Sequence, residues 1–178
     1  AYSKSPVRFG GIVMLAVGHT AIGIAIGLAV PEPVAAFGLG VFSHHLADTV
    51  PHFDPGSFLL DKPWHPRSTK EYTARDWIFV SIDAVLTLGL LIGAFVILPV
   101  ERRLAVGAAI LGALLPDLVH NIPFWSPGLR KITWIRGWQD HIHRRFQITV
   151  PARHWLFGSA TQVVPIGLVV WYMLSVRG

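Results

Sequence analysis

Eight residues of this 178-residue chain have the types and spacing to ligate a divalent cation: His19, His44, His45, Asp48, His52, Asp83, Asp117 and His120. His44 and Asp48 are four apart, His45 and Asp48 three apart, and Asp117 and His120 three apart. On a helix each pair shares one face, close enough to hold one ion or to hydrogen-bond. His19, His45, Asp48, Asp83 and Asp117 form the leading set, and His44, His52 and His120 the reserve. Cysteine is absent, so any metal must be held by carboxylate oxygen and imidazole nitrogen. A divalent ion with an open position among such ligands activates water for hydrolysis.

Two other readings of the same residues stand beside this one. The acids and imidazoles can pair with one another, or with Arg67, Arg75 and Arg144, and hold helices together. His19 is flanked by Gly18, Ala21 and Gly23, and such small neighbours leave room for a haem or chlorophyll-type pigment. Ser43 beside His44 makes no catalytic pair, because neighbours on a helix point roughly 100° apart. Nucleotide loops, nucleophile elbows, H-E-x-x-H helices and dinucleotide fingerprints are missing.

The elements that must position these residues are hydrophobic. Apolar residues make up 52% of the chain and charged residues 14%, against roughly a quarter charged in soluble domains. The expectation is an all-α integral membrane protein forming one domain over residues 1–178. Five segments approach the roughly 20 apolar residues that cross a bilayer: Phe9–Val30, Val34–Phe53, Trp77–Leu98, Leu104–Ile122 and Trp155–Leu174. The first is longer than a signal-peptide core and reads as a retained helix.

Pro31-Glu32-Pro33 and Pro99–Arg103 are tight, proline-bearing turns, which predict antiparallel hairpins over 9–53 and 77–122 followed by a last helix over 155–174. Aligning Asp48 with Asp117 also matches Ala36 with Ala105, Gly38 with Gly107, Leu46 with Leu115 and Val50 with Val119. The two hairpins therefore read as a repeat, with His19 and Asp83 at similar depths in its first helices. Trp134, Ile135, Trp138, Ile142 and Phe146, together with Arg136, Arg144 and Arg145, predict an amphipathic interfacial helix over 134–147. His143 lies within that helix as an extra candidate ligand.

Charge placement gives orientation. With the N-terminus inside, all of the 15 Lys and Arg except Arg102, Arg103 and Arg177 fall on the inner side. The N-terminus is expected in the cytoplasm and the C-terminus outside, with the polar cluster toward the cytoplasm. The net charge of +5 is spread through connections that face lipid headgroups, and no separate basic domain supports nucleic-acid binding. The expected partners are the lipid bilayer and other membrane-protein subunits.

His19-x3-Gly23, Ser43-His44-His45-x2-Asp48-x2-Pro51-His52, Leu115-Pro116-Asp117 and Asp140-His141-x-His143 resemble small bacterial inner-membrane proteins named as metal-dependent hydrolases. The resemblance covers most of the chain, including Thr161-Gln162 in the last helix. It implies a helical membrane fold with a divalent-metal site, and carries fold better than reaction; one expected function is a metal-assisted hydrolase acting from the cytoplasmic face on a phosphoester or lipid-like substrate. The chain departs from the pattern at His120 and in loops rich in Trp and Arg. Those loops support the alternative of a non-catalytic accessory subunit, of respiratory or photosynthetic type, packed in a larger membrane complex.

Overall fold

The computed structural model describes residues 15–52, 74–120, 125–129, 131–134, 137, 141 and 155–175. Five helices carry the described chain: α1 (Ala16–Ala29), α2 (Pro33–Ala47), α3 (Ala74–Ile97), α4 (Val100–His120) and, after the single turn α5 (Ser126–Leu129), α6 (Trp155–Ser175). Most of the interfacial helix expected over 134–147, with His143 and Arg144, lies outside the described residues. So do Arg67 and the segment before Leu15.

Proline and its neighbours set the boundaries. Val30, in extended conformation, ends α1, and Pro33 occupies the first position of α2, where its missing N–H costs nothing. Glu32 caps α2, its carboxylate accepting the N–H groups of Val34 and Ala35. At the other end of the molecule's turns, Arg102 donates to the Leu28 carbonyl at 3.4 Å and Arg103 to the Leu98 carbonyl at 3.2 Å. These arginines satisfy carbonyls at the C-terminal ends of α1 and α3, where positive charge is favoured.

The packing departs from two separate hairpins. α4 lies against α1 and α2, while α3 and α4 barely touch. The reason is the small-residue face of α4. A Cβ at Gly23 would come within 2.7 Å of the Ile110 Cα, and one at Gly27 would overlap the Val106 Cα. Gly40 stands equally close to the Ala109 carbonyl, and Gly112 to the Phe37 carbonyl. Backbone thus meets backbone, as in the small-xxx-small crossings of membrane helices. Gly89 and Gly93 of α3 have nothing within 4 Å of such a Cβ, so α3 has no matching seam.

α1 is the central element. Val17, Ala21 and Ile24 pack with Leu90, Ala94 and Leu98 of α3, Val106 and Ile110 of α4, and Val169 and Met173 of α6. Ala36, Ala105 and Ala109 form a second small core between α2 and α4. α2 and α4 run side by side in the register that pairs Asp48 with Asp117, since Gly40 faces Ala109 and His44 bonds Ala113. The first helices do not repeat this relation: α1 is inserted against α4, and α3 sits outside α1.

Two helices are long and apolar enough to cross a membrane, within Trp77–Ile97 and Leu156–Ser175. The other three expected spans do not meet that measure among the described residues. α1 and α2 have 14 and 15 residues, and α4 carries Glu101, Arg102 and Arg103 in its first turn and Asp117 near its end.

Two predictions follow from these contacts. Gly40→Ala should destabilise the protein in detergent by about 1–3 kcal/mol, whereas Gly38→Ala, with open space, should be neutral or gain up to about 1 kcal/mol. Thermal unfolding of both variants checks this; equal effects would contradict the seam. The two backbone bonds hold the Glu32 carboxyl below its ordinary pKa. A lowered folded pKa means that the cap's stabilisation is full above the unfolded value and is lost as pH falls through the folded one. The difference in melting temperature between the parent and Glu32→Gln should therefore be larger at pH 7 than at pH 3.

Candidate metal centre

Three helix ends converge at one end of the bundle. His19 lies in the first turn of α1, His44 in the last turn of α2 with Asp48 as its C-cap, and Asp117 in the last turn of α4. α1 runs opposite to α2 and α4, so its beginning meets their ends. The glycine seam brings these ends close enough for side chains from three helices to meet.

His19, His44 and Asp117 each offer a ligand atom, and these atoms lie within 4.8 Å of one another. Asp48 closes the group. Its Oδ1 is 3.5 Å from His19 Nε2 and its Oδ2 is 3.5 Å from His44 Nε2. Asp117 does the same from the other side, at 3.8 Å from His19 Nε2 and 3.6 Å from His44 Nε2. The two imidazoles are stacked with centroids 4.1 Å apart, so both Nε2 atoms face the same two carboxylates.

Those separations exceed the roughly 2.7–2.9 Å of a charge-assisted hydrogen bond. They suit donors that share a cation: ligands about 2.0–2.2 Å from a tetrahedral ion stand roughly 3.3–3.6 Å apart. Both ring nitrogens of His19 are buried and make no hydrogen bond. His44 Nδ1 lies 2.9 Å from the Ala113 carbonyl, which can only accept. Nδ1 therefore carries a proton, and in the neutral ring Nε2 presents a lone pair to the cluster, as metal-bound histidines commonly do. Pro116 lies one turn beyond Ala113, inside α4, where it removes a backbone N–H from the ladder.

Burial sets the electrostatic demand. His19 and His44 side chains are 0% exposed, Asp48 3% and Asp117 13%. Two carboxylates this deep each carry a desolvation cost of several kcal/mol unless positive charge sits beside them. A divalent cation supplies that charge, and so do protons on the imidazoles. Two imidazole nitrogens and the Asp117 carboxylate make a donor set that can hold a divalent ion, with the Asp48 carboxylate beside it.

The remaining candidates take other places. Asp83 accepts the N–H groups of Ala16 at 2.9 Å and Val17 at 3.0 Å, so its two oxygens cap the start of α1. His45 stands edge-on to His44, with ring centroids 5.2 Å apart, outside the convergent group. His52 is buried, with Nδ1 donating to the Val50 carbonyl at 2.6 Å, and is also outside that group. The side chains of His120 and Arg75 lie outside the described residues. Ser43 donates to the Gly40 carbonyl in its own helix. The room expected beside His19 for a flat macrocycle is absent, because Ile110 fills the Gly23 face and His44 covers the ring.

Sequence reasoning gave Gln162 no role at the site. It is buried in α6, and its Oε1 accepts the Leu15 N–H at 3.0 Å. Its signal was a lone amide, next to Thr161, in an otherwise apolar helix. Thr161 ties the same helix to the end of α2 through the Pro51 carbonyl at 2.8 Å.

The His44–Ala113 bond makes a direct prediction. Nitrogen NMR of histidine-labelled protein at neutral pH should show His44 as the Nδ1–H tautomer. An Nε2–H tautomer would remove the lone pair from the cluster and contradict its role as a ligand.

No family model, curated protein or solved structure matches this chain.

Proposed function

We propose that this chain is a multi-pass protein of the bacterial inner membrane that binds one divalent metal ion through His19, His44, Asp48 and Asp117 and works as a metal-dependent hydrolase. The observation that carries the reading is the spacing of two imidazole nitrogens and two carboxylates in a buried cluster. The resemblance of the His and Asp motifs to inner-membrane hydrolases supports the reaction class. A divalent ion held there supplies Lewis-acid polarisation of a phosphoryl or carbonyl oxygen and activation of water.

The chain's own groups have separable roles in this reading. His44 is oriented by Ala113, and Asp48 is fixed at the C-cap of α2. Asp117 is the most exposed member of the group, so substrate approaches along its edge. The substrate class that fits a pocket among apolar helices is a phosphoester or lipid-like ester.

The membrane assignment rests on the surface of the helices. Ile78, Ile82, Val85, Leu86, Leu88, Ile92 and Val96 of α3 are exposed, as are Leu156, Val164, Leu168 and Trp171 of α6. A water-facing helix presents a polar face, whereas these are apolar where they are uncovered. Within the five-crossing topology, α1 and α2 are short helices whose ends lie at depth. Such ends are tolerated in a bilayer where protein groups satisfy the backbone, as Gln162 does for Leu15. The excess of Lys and Arg in the connections expected inside supports an N-terminus in the cytoplasm and a C-terminus outside.

A second reading is favoured by the closure of the pocket. With both imidazoles fully buried, the cluster fits a structural role in an accessory subunit, and the apolar faces of α3 and α6 fit neighbouring subunits.

Metal analysis separates the two. Protein purified without chelators should contain about one equivalent of metal, lost in His19→Ala, Asp48→Ala and Asp117→Ala variants that keep their helical circular dichroism. Chelation should abolish hydrolysis of a chromogenic phosphodiester, and re-addition of metal should restore it. Metal-free protein with its helices and stability intact would overturn the hydrolase reading. Isolation as a stable monomer from native membranes would overturn the accessory reading.

A further inference from the structure

α1 begins at Ala16, with Leu15 as its N-cap, and both residues are half-buried. The first N–H groups of any helix lack partners within it. Here they are satisfied by two side chains from other helices, each distant in sequence. Asp83 of α3 takes the N–H groups of Ala16 and Val17, and Gln162 of α6 takes that of Leu15. Gln162 is itself anchored through Nε2 to the Gly158 carbonyl at 3.3 Å. The same turn of α1 carries His19, whose ring nitrogens have no hydrogen bond of their own to fix them.

His44 is held by a bond from its other ring nitrogen, so its aim is set locally. His19 has no such bond, and its aim must come from the backbone that carries it. We infer that Asp83 and Gln162 are positioning residues for the metal centre: by clamping the start of α1 they place His19 Nε2 opposite Asp48 and Asp117. This inference rests on the metal-binding reading above and goes beyond it, by assigning the site's precision to a cap supplied by two other helices. Asp83 is suited to the task for a second reason. Its carboxylate faces the positive end of the α1 dipole, so one negative charge stabilises the helix start that bears a ligand.

The clamp has a consequence for metal affinity. Groups that orient ligands without touching the ion typically change affinity by about 10–100-fold when removed. Asp83→Asn offers one acceptor where the carboxylate offers two, and Gln162→Ala removes the acceptor for Leu15. Both should weaken Co2+ binding by about 10–100-fold and alter the visible spectrum of the bound ion. Gln162→Glu keeps an acceptor and should recover most of the affinity. Leu86→Ala, on the exposed side of α3, should match the parent.

The experiment is a Co2+ titration of the full-length protein and these variants in detergent, together with amide exchange of the metal-free forms. Faster exchange at residues 15–17 in Asp83→Asn and Gln162→Ala, with weaker Co2+ binding and rescue by Gln162→Glu, is the expected result. Parent-like Co2+ affinity and spectrum in both variants, while His19→Ala binds nothing, would overturn the clamp and leave the metal centre standing. A parent protein that takes up no Co2+ would overturn the metal reading and the inference with it. If Asp83→Asn does not fold, the Gln162 pair alone decides the outcome.

Discussion

The contact between the backbones of α1 and α4, and of α2 and α4, is the constraint on which the rest depends. Gly23, Gly27, Gly40 and Gly112 bring these helices closer than any side chain would allow. Such close approach, and the dispersion it allows between backbones, selects which helices pair. α4 takes α1 on one face, where Gly23 and Gly27 of α1 meet the backbone of Ile110 and Val106, and α2 on another, where Gly40 meets Ala109 and Gly112 meets Phe37. α3, with no matching seam, is left to the outside despite following a tight turn into α4.

That arrangement fixes the direction of each helix and hence which ends meet. The beginning of α1 is set against the ends of α2 and α4. His19, His44, Asp48 and Asp117 each sit within about one turn of such an end, where a side chain reaches across the helix tops. Moving α1 outward by the width of a methyl group would separate His19 from both carboxylates. The glycines are therefore part of the site's geometry, although none of them touches it.

The polar groups in the apolar helices divide into two kinds. Asp48 and Asp117 face imidazoles and share the demand for positive charge. Asp83 and Gln162 face backbone N–H groups and satisfy the half-buried start of α1. Both kinds answer the same physical problem, the high cost of a polar group left alone at depth. The answers differ because a helix terminus needs acceptors, whereas paired carboxylates need a cation or protons.

Much of this was legible in the residues themselves. Composition and run lengths determined a helical chain, and among the described residues the runs around α3 and α6 are long and apolar enough to cross a membrane. The residue types at His19, Asp48 and Asp117 marked metal-type chemistry, and the alignment of Asp48 with Asp117 anticipated that the two acids share one place. Sequence ranked His45 above His44 and put Asp83 among the ligands, because spacing along a helix gives a face but not the helix that will cover it. Only the tertiary structure decided these points. The glycine seam rotates His44 toward α4 and leaves His45 beside it. The start of α1 at Ala16 turns Asp83 into a cap, since the first backbone N–H groups of a helix have no partner within it.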